Sequence, residues 1–118
     1  MDEIKIQEQL AGHRARNKAL LGAIVTHGIS LESQRPTDHN FNVKREADAR
    51  NLEIALASLG FTEIHLSRVG WFVFSTWHVS AVLQASPNEV TADAFAEKLI
   101  RLAAEHAAIY DGWGMSLG

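Results

Sequence analysis

A helix-period stripe that runs straight into a glycine-framed aromatic motif constrains this chain most. Phe95, Leu99, Leu102, Ala103 and His106 recur at i, i+4, i+7, i+8 and i+11, a spacing that gathers side chains on one face of an α-helix. The pattern then gives way to Tyr110-Asp111-Gly112-Trp113-Gly114. Two glycines flank a tryptophan beside an aspartate, so little but backbone surrounds a large ring. Glycine adopts dihedrals closed to other residues, so the segment can turn sharply or admit another group close to its backbone. A short last strand is expected from Ile109 to about Trp113.

The earlier segments have to supply the surfaces on which this helix and strand are buried. Asp2 to Thr26 is helical in pattern, with Ile6, Leu10, Leu20, Leu21 and Ile24 near one face and Gly28 as terminator. His13 and Asn17 interrupt that face, so its first half is expected at the surface or against a partner. After a polar loop, Asp38 to Val43 alternates, placing His39, Phe41 and Val43 on one side of a half-buried strand. Arg45 to Leu59 carries Leu52, Ala55, Leu56 and Leu59 at helical spacing, and Gly60 stops it. Phe61 to Ser67 reads as a second strand, with Ile64 and Leu66 assigned to opposite faces. Gly70 to Asn88 contains no Asp, Glu, Lys or Arg. With Ser75, Thr76, His78, Ser80, Gln84 and Ser86 it is too polar for a membrane span. It is expected to form a buried central strand from Trp71 towards Leu83, bent or bulged near Ser75-Thr76. Ser86-Pro87-Asn88 breaks the chain, and Thr91 is the expected N-cap of the last helix.

The resulting order, α-βαββαβ, predicts an α+β fold: a ferredoxin-like βαββαβ sandwich with an additional N-terminal helix. All 118 residues, 1–118, form a single domain of the size that supports one core. Helices packed on one sheet face leave the other to be solvated, covered by the N-terminal helix, or used for binding.

Several classes of chemistry find no support. Eleven Lys and Arg stand against fourteen acids, a formal charge of −3, which gives no general attraction to nucleic acid. There is no cysteine, hence no disulfide, thiol nucleophile or thiolate site. No two of the six histidines lie three or four residues apart, and zinc, phosphate-loop and nucleophile-elbow motifs are absent. No catalytic residue, metal or cofactor is therefore assigned, and the chain is read as a non-enzyme. The acidic N-terminus does not resemble a signal peptide, and a cytoplasmic address is expected. An alternative keeps a small-molecule-binding or enzymatic domain, using His39, His78 or Tyr110 in a pocket. Direct RNA binding is weaker still. Arg68 to Ser75 matches the RNA-recognition strand motif at Arg68, Phe72 and Val73, but fails at its glycine and at two aromatic positions.

Along its length the chain resembles the RraB family, the protein regulators of ribonuclease E activity. The resemblance rests on the N-terminal helix, the strand Thr37-Asp38-His39-Asn40-Phe41 and the helix Arg45 to Gly60. Most specifically, it rests on Leu99-Ile100-Arg101-Leu102-Ala103 leading into Tyr110-Asp111-Gly112-Trp113-Gly114. It implies an α+β sandwich that binds the endoribonuclease, or its assembly, and inhibits RNA cleavage without catalysis of its own. Candidate partner-binding residues are Asp111 and Trp113 at the end of the chain, and Arg14, Arg16 and Lys18 on the first helix. Trp113 has a second reading, as a core plug where the last strand ends. Arg35, Lys44, Arg45 and Arg50 form a second, looser basic group.

Overall fold

A computed structural model describes residues 2–117. The 24-residue helix α1, Glu3–Thr26, opens on Asp2, whose carboxylate accepts the Lys5 N–H at 2.9 Å. Strand β1 (Arg35–Val43), helix α2 (Glu46–Ser58), strand β2 (Thr62–Val69) and strand β3 (Thr76–Ala85) follow. The short helix α3 (Pro87–Thr91), helix α4 (Asp93–Glu105) and strand β4 (Ala108–Gly114) complete the chain. The sheet order is β2-β3-β1-β4 with every neighbouring pair antiparallel. This is the α+β arrangement expected from the element order, with α3 and a single 3₁₀ turn as additions.

Alternation decides which face of the sheet is buried. Thr37, His39, Phe41 and Val43 of β1 face the helices and are buried, as are Val79 and Ala81 of β3. Leu52 and Leu56 from α2, and Leu99, Ile100 and Ala103 from α4, close over them. The opposite face carries Asp38, Asn40, Asn42, His65, Ser67, His78 and Ser80, exposed or half-buried. Ser80 registers with Asn40 and His65, and His78 with Asn42 and Ser67, so this face is largely polar, with the half-exposed Ile109 beside Asn42, and no helix among the described residues covers it.

Helix α1 lies in the helical layer beside α4, not across the open face. Arg101 donates to both oxygens of Glu3 at 2.9 and 2.8 Å, and Arg14 reaches Asp93 at 2.9 Å, so the two helices run antiparallel. Ile6 and Leu10 are buried in the main core. The first half of α1 lies at the surface, as expected, but one face of it, with Ile6 and Leu10, is packed into the core instead of awaiting a partner. The interruption at His13 and Asn17 was misleading because both are themselves buried and hydrogen-bonded. A smaller second cluster joins Ile24, Ala85, Val90 and Trp113 at the far end of α1.

Four local expectations are corrected. The central strand begins at Thr76, and Trp71 to Phe74 forms an exposed turn between β2 and β3 instead of a buried strand. Absence of charge suggested burial there, but the β2–β3 connection has no helix above it. Ser86-Pro87-Asn88 starts α3: Ser86 caps it by accepting the Glu89 N–H at 3.2 Å, with Pro87 in the first turn. Thr91 ends α3, its hydroxyl donating to the Pro87 carbonyl, and the residue before α4 is Ala92. Ile64 and Leu66 share one face, as two-residue spacing in a strand requires, and both pack on the core. Arg35 and Arg45 lie beyond opposite ends of the inner run of β1, while Arg50 pairs with Glu46 at 2.9 Å, so the looser basic group is not a patch.

Candidate partner-binding surface

Strand β4 is an edge strand, paired only with β1, so its outer backbone groups need partners. Helix α1 supplies them. His13 Nε2–H donates to the Tyr110 carbonyl at 3.0 Å, and its ring stacks on that of Tyr110 at 4.9 Å and 20°. The Arg16 guanidinium donates to the Asp111 carbonyl. The Trp113 indole N–H donates to Asn17 Oδ1 at 2.8 Å. Three residues spaced i, i+3 and i+4 on α1 thus fasten three positions of β4.

Gly112 makes this approach possible. It sits at φ +119°, and a Cβ there would collide with the Arg16 guanidinium, with His13 Cε1 next at 3.8 Å. The close approach suggested by the glycine-framed motif is therefore made by a cation from α1. Beside it the β1–β4 register shifts between Asn40 and Phe41, which re-aims the end of β4.

A second buried device lies under β4. Thr37 Oγ1 donates to the Leu83 carbonyl at 2.8 Å, so its oxygen accepts from His39 Nε2–H at 2.8 Å. His39 Nδ1 is then left as the acceptor for the Tyr110 hydroxyl at 2.9 Å. All three residues are buried, so the relay runs entirely inside the core. Burial pushes His39 down to about 4 and the Tyr110 phenol upward, holding both neutral. Burial also lowers His13, against the opposing effect of its bond to the Tyr110 carbonyl.

The structure places the five candidate residues as follows. Trp113 is 7% exposed and belongs to the second core cluster. The Asp111 side chain is exposed on β4 while its backbone is held by Arg16. Arg14 is held by Asp93 through both its Nε and Nη2, with both side chains more than half exposed. Lys18 is exposed one turn beyond Arg14 on the same side of α1. Arg14 therefore reaches the start of α4 while Arg16 leans over β4, and the basic run divides around the buried Asn17.

The histidines considered for a pocket do not converge. His39 registers with Ala81 and faces the core, whereas His78 registers with Asn42 and lies on the open face. His39 and Tyr110 do meet, but in a filled core between Phe41, Phe61 and Phe95 instead of a recess. Among the described residues, no three metal-ligating side chains cluster, and no helix is long and apolar enough to cross a membrane. Sequence reasoning missed the exposed run Trp71 to Phe74. Its only signal was Gly70 immediately before it.

The family model described as regulator of ribonuclease activity B, RraB, matches residues 14–115. The chain belongs to the RraB family. The match takes in every element from the middle of α1 to the end of β4, including Asn17, Gly112 and Trp113. No curated protein sequence matches the chain. RraB membership agrees with the resemblance carried by the terminal motif, and associates the chain with regulation of ribonuclease activity.

Proposed function

We propose that this RraB-family chain is a non-catalytic, cytoplasmic regulator that binds ribonuclease E or its assembly and restrains its cleavage of RNA. The observation that carries the reading is the family match over residues 14–115. It spans the sheet, the helices α2 to α4 and the second half of α1, including Arg16 and Asn17 that fasten α1 to β4. Inhibition follows from occupation of a surface on the ribonuclease. The exposed side of α1, with Arg14 and Lys18, and Asp111 on β4 form the charged part of the contact. Arg16 and Trp113 hold that surface in shape, Arg16 through the Asp111 carbonyl and Trp113 through Asn17.

The open sheet face favours a protein partner over RNA. Asp38, Asn40, Asn42, His65, Ser67, His78 and Ser80 on that face include no Lys or Arg to meet a phosphate backbone. The test is a titration of purified ribonuclease E with this chain on a defined RNA substrate, alongside RNA binding by the chain alone at two salt concentrations. Saturable inhibition without RNA binding is expected. Arg14→Glu, Lys18→Glu and Asp111→Lys should each weaken it. A folded chain that leaves cleavage untouched would refute the reading. Salt-sensitive binding to RNA alone would replace it with direct competition for substrate.

A further inference from the structure

Trp71, Phe72, Val73 and Phe74 are 74, 68, 89 and 82% exposed, four large apolar side chains in succession at the tip of the β2–β3 hairpin. Isolated exposed apolar residues are ordinary, but a contiguous run is the mark of an interaction site. This tip is a built turn. The Phe74 N–H donates to the Trp71 carbonyl at 3.0 Å, and the Ser75 N–H to the Phe72 carbonyl at 3.1 Å. Arg68 Nη2 crosses the base of the turn to Ser75 Oγ at 3.1 Å. Gly70 sits at φ +94°, where a Cβ would lie 2.8 Å from the Phe74 carbonyl oxygen. Phe72 itself lies at φ +52°, a left-handed conformation that is strained for a bulky residue. The rings of Trp71 and Phe72 support each other at 4.4 Å. Hydrogen bonds and strain are thus spent on presenting apolar side chains to water, where they gain nothing unless a partner covers them.

We infer that this hairpin tip is a preorganised apolar anchor that inserts into a concave, apolar recess on the ribonuclease. The inference rests on the regulator reading above for the identity of the partner. Shape argues against a second copy as occupant. Two convex tips cannot bury each other, and a tip seated elsewhere on a second copy makes a head-to-tail contact that need not close. Three aromatic rings at roughly 150–250 Å² each supply roughly 450–750 Å² at most. That falls short of the roughly 800 Å² per partner of a stable interface, so the tip serves as the anchor of a larger contact. Charge argues against a lipid surface. Arg68 is the only Asp, Glu, Lys or Arg from Ile64 to Asn88, and the chain carries −3 overall. Stable attachment to an anionic bilayer takes a cluster of cations or a second anchor. The recess that fits has an apolar floor for the rings, with an acceptor at its rim for the exposed Trp71 indole N–H and the Arg68 guanidinium.

The experiment measures binding of purified ribonuclease E to three full-length forms: the natural sequence, Trp71→Ala with Phe74→Ala, and Arg14→Glu with Lys18→Glu. The tip side chains touch no core cluster, so the first double variant should keep its urea midpoint. Its affinity should fall about 30-fold or more, as truncation of aromatic anchors does. Unchanged affinity of that variant, with the natural chain binding, overturns the anchor and leaves the regulator reading standing. No binding by the natural chain overturns both. Sedimentation of the chain alone and flotation with phosphatidylethanolamine–phosphatidylglycerol vesicles complete the test. Association that disappears in the tip variant in either assay would reassign the tip to self-assembly or to lipid.

Discussion

Acid should weaken this fold through one histidine, and the size of the effect follows from its surroundings. His39 is fully buried and neutral: its Nε2–H donates to Thr37, and its Nδ1 accepts the Tyr110 hydroxyl. Protonation would put a second N–H against a hydroxyl that already points its proton there. Burial lowers the folded-state value from 6.5 to about 4. The unfolded chain therefore binds a proton more readily than the folded one, and stability rises with pH between those values. The contribution is complete above the unfolded value and is lost as pH falls towards about 4. At about 1.4 kcal/mol per unit, the loss is about 2 kcal/mol near pH 5 and about 3 kcal/mol near pH 4. His13, lowered by burial as well, acts in the same direction.

Urea unfolding at several pH values measures this directly. With a urea slope of roughly 1–2 kcal/mol per molar, the midpoint should fall by about 1–2 M between pH 7 and 5 on account of His39. His39→Leu removes the titrating group in both states. Its midpoint at pH 7 should be lower, because the Tyr110 hydroxyl is left buried without its acceptor, at a cost of about 1–3 kcal/mol. Its further decline on acidification should be shallower than that of the natural chain. Parallel declines in the two proteins would refute the assignment of the acid sensitivity to His39. Nitrogen chemical shifts of the ring provide a second check, since the relay requires the neutral Nε2–H form at pH 7.

Other perturbations separate the fastening of β4 from the surface around it. Asn17→Ala leaves the Trp113 indole N–H buried without an acceptor and should cost about 1–3 kcal/mol in urea unfolding. Trp113→Ala also opens a cavity in the second core cluster and should cost about 3–5 kcal/mol. Gly112→Ala places a methyl group against Arg16 at a positive φ and should destabilise by about 1–3 kcal/mol; pairing it with Arg16→Ala should recover the steric part but not the backbone strain. Arg14→Ala breaks an exposed pair with Asp93 and should change stability by less than about 1 kcal/mol, so a larger loss of ribonuclease inhibition would assign Arg14 to the contact.

Local pattern determined most of the elements of this protein, though not α3 or the start of β3, and the terminal motif indicated its family. The stripe Phe95 to His106, the alternation around His39 to Val43 and the stops at Gly28 and Gly60 are short-range signals, and the structure carries an element at each. Tyr110 to Gly114 carried the resemblance to RraB, and within it Gly112 answers the close approach of Arg16 at a positive φ. Tertiary packing decided the rest. Whether His13 and Asn17 interrupt a buried face or complete it depends on β4, nearly a hundred residues away in sequence, offering a carbonyl and an indole N–H. Whether His39 and His78 meet depends on strand register, which sends them to opposite faces of the sheet. Whether Trp71 to Phe74 is core or surface depends on what lies above the hairpin. An apolar sequence records a preference for burial, but only the positions of the other elements decide whether the fold provides it.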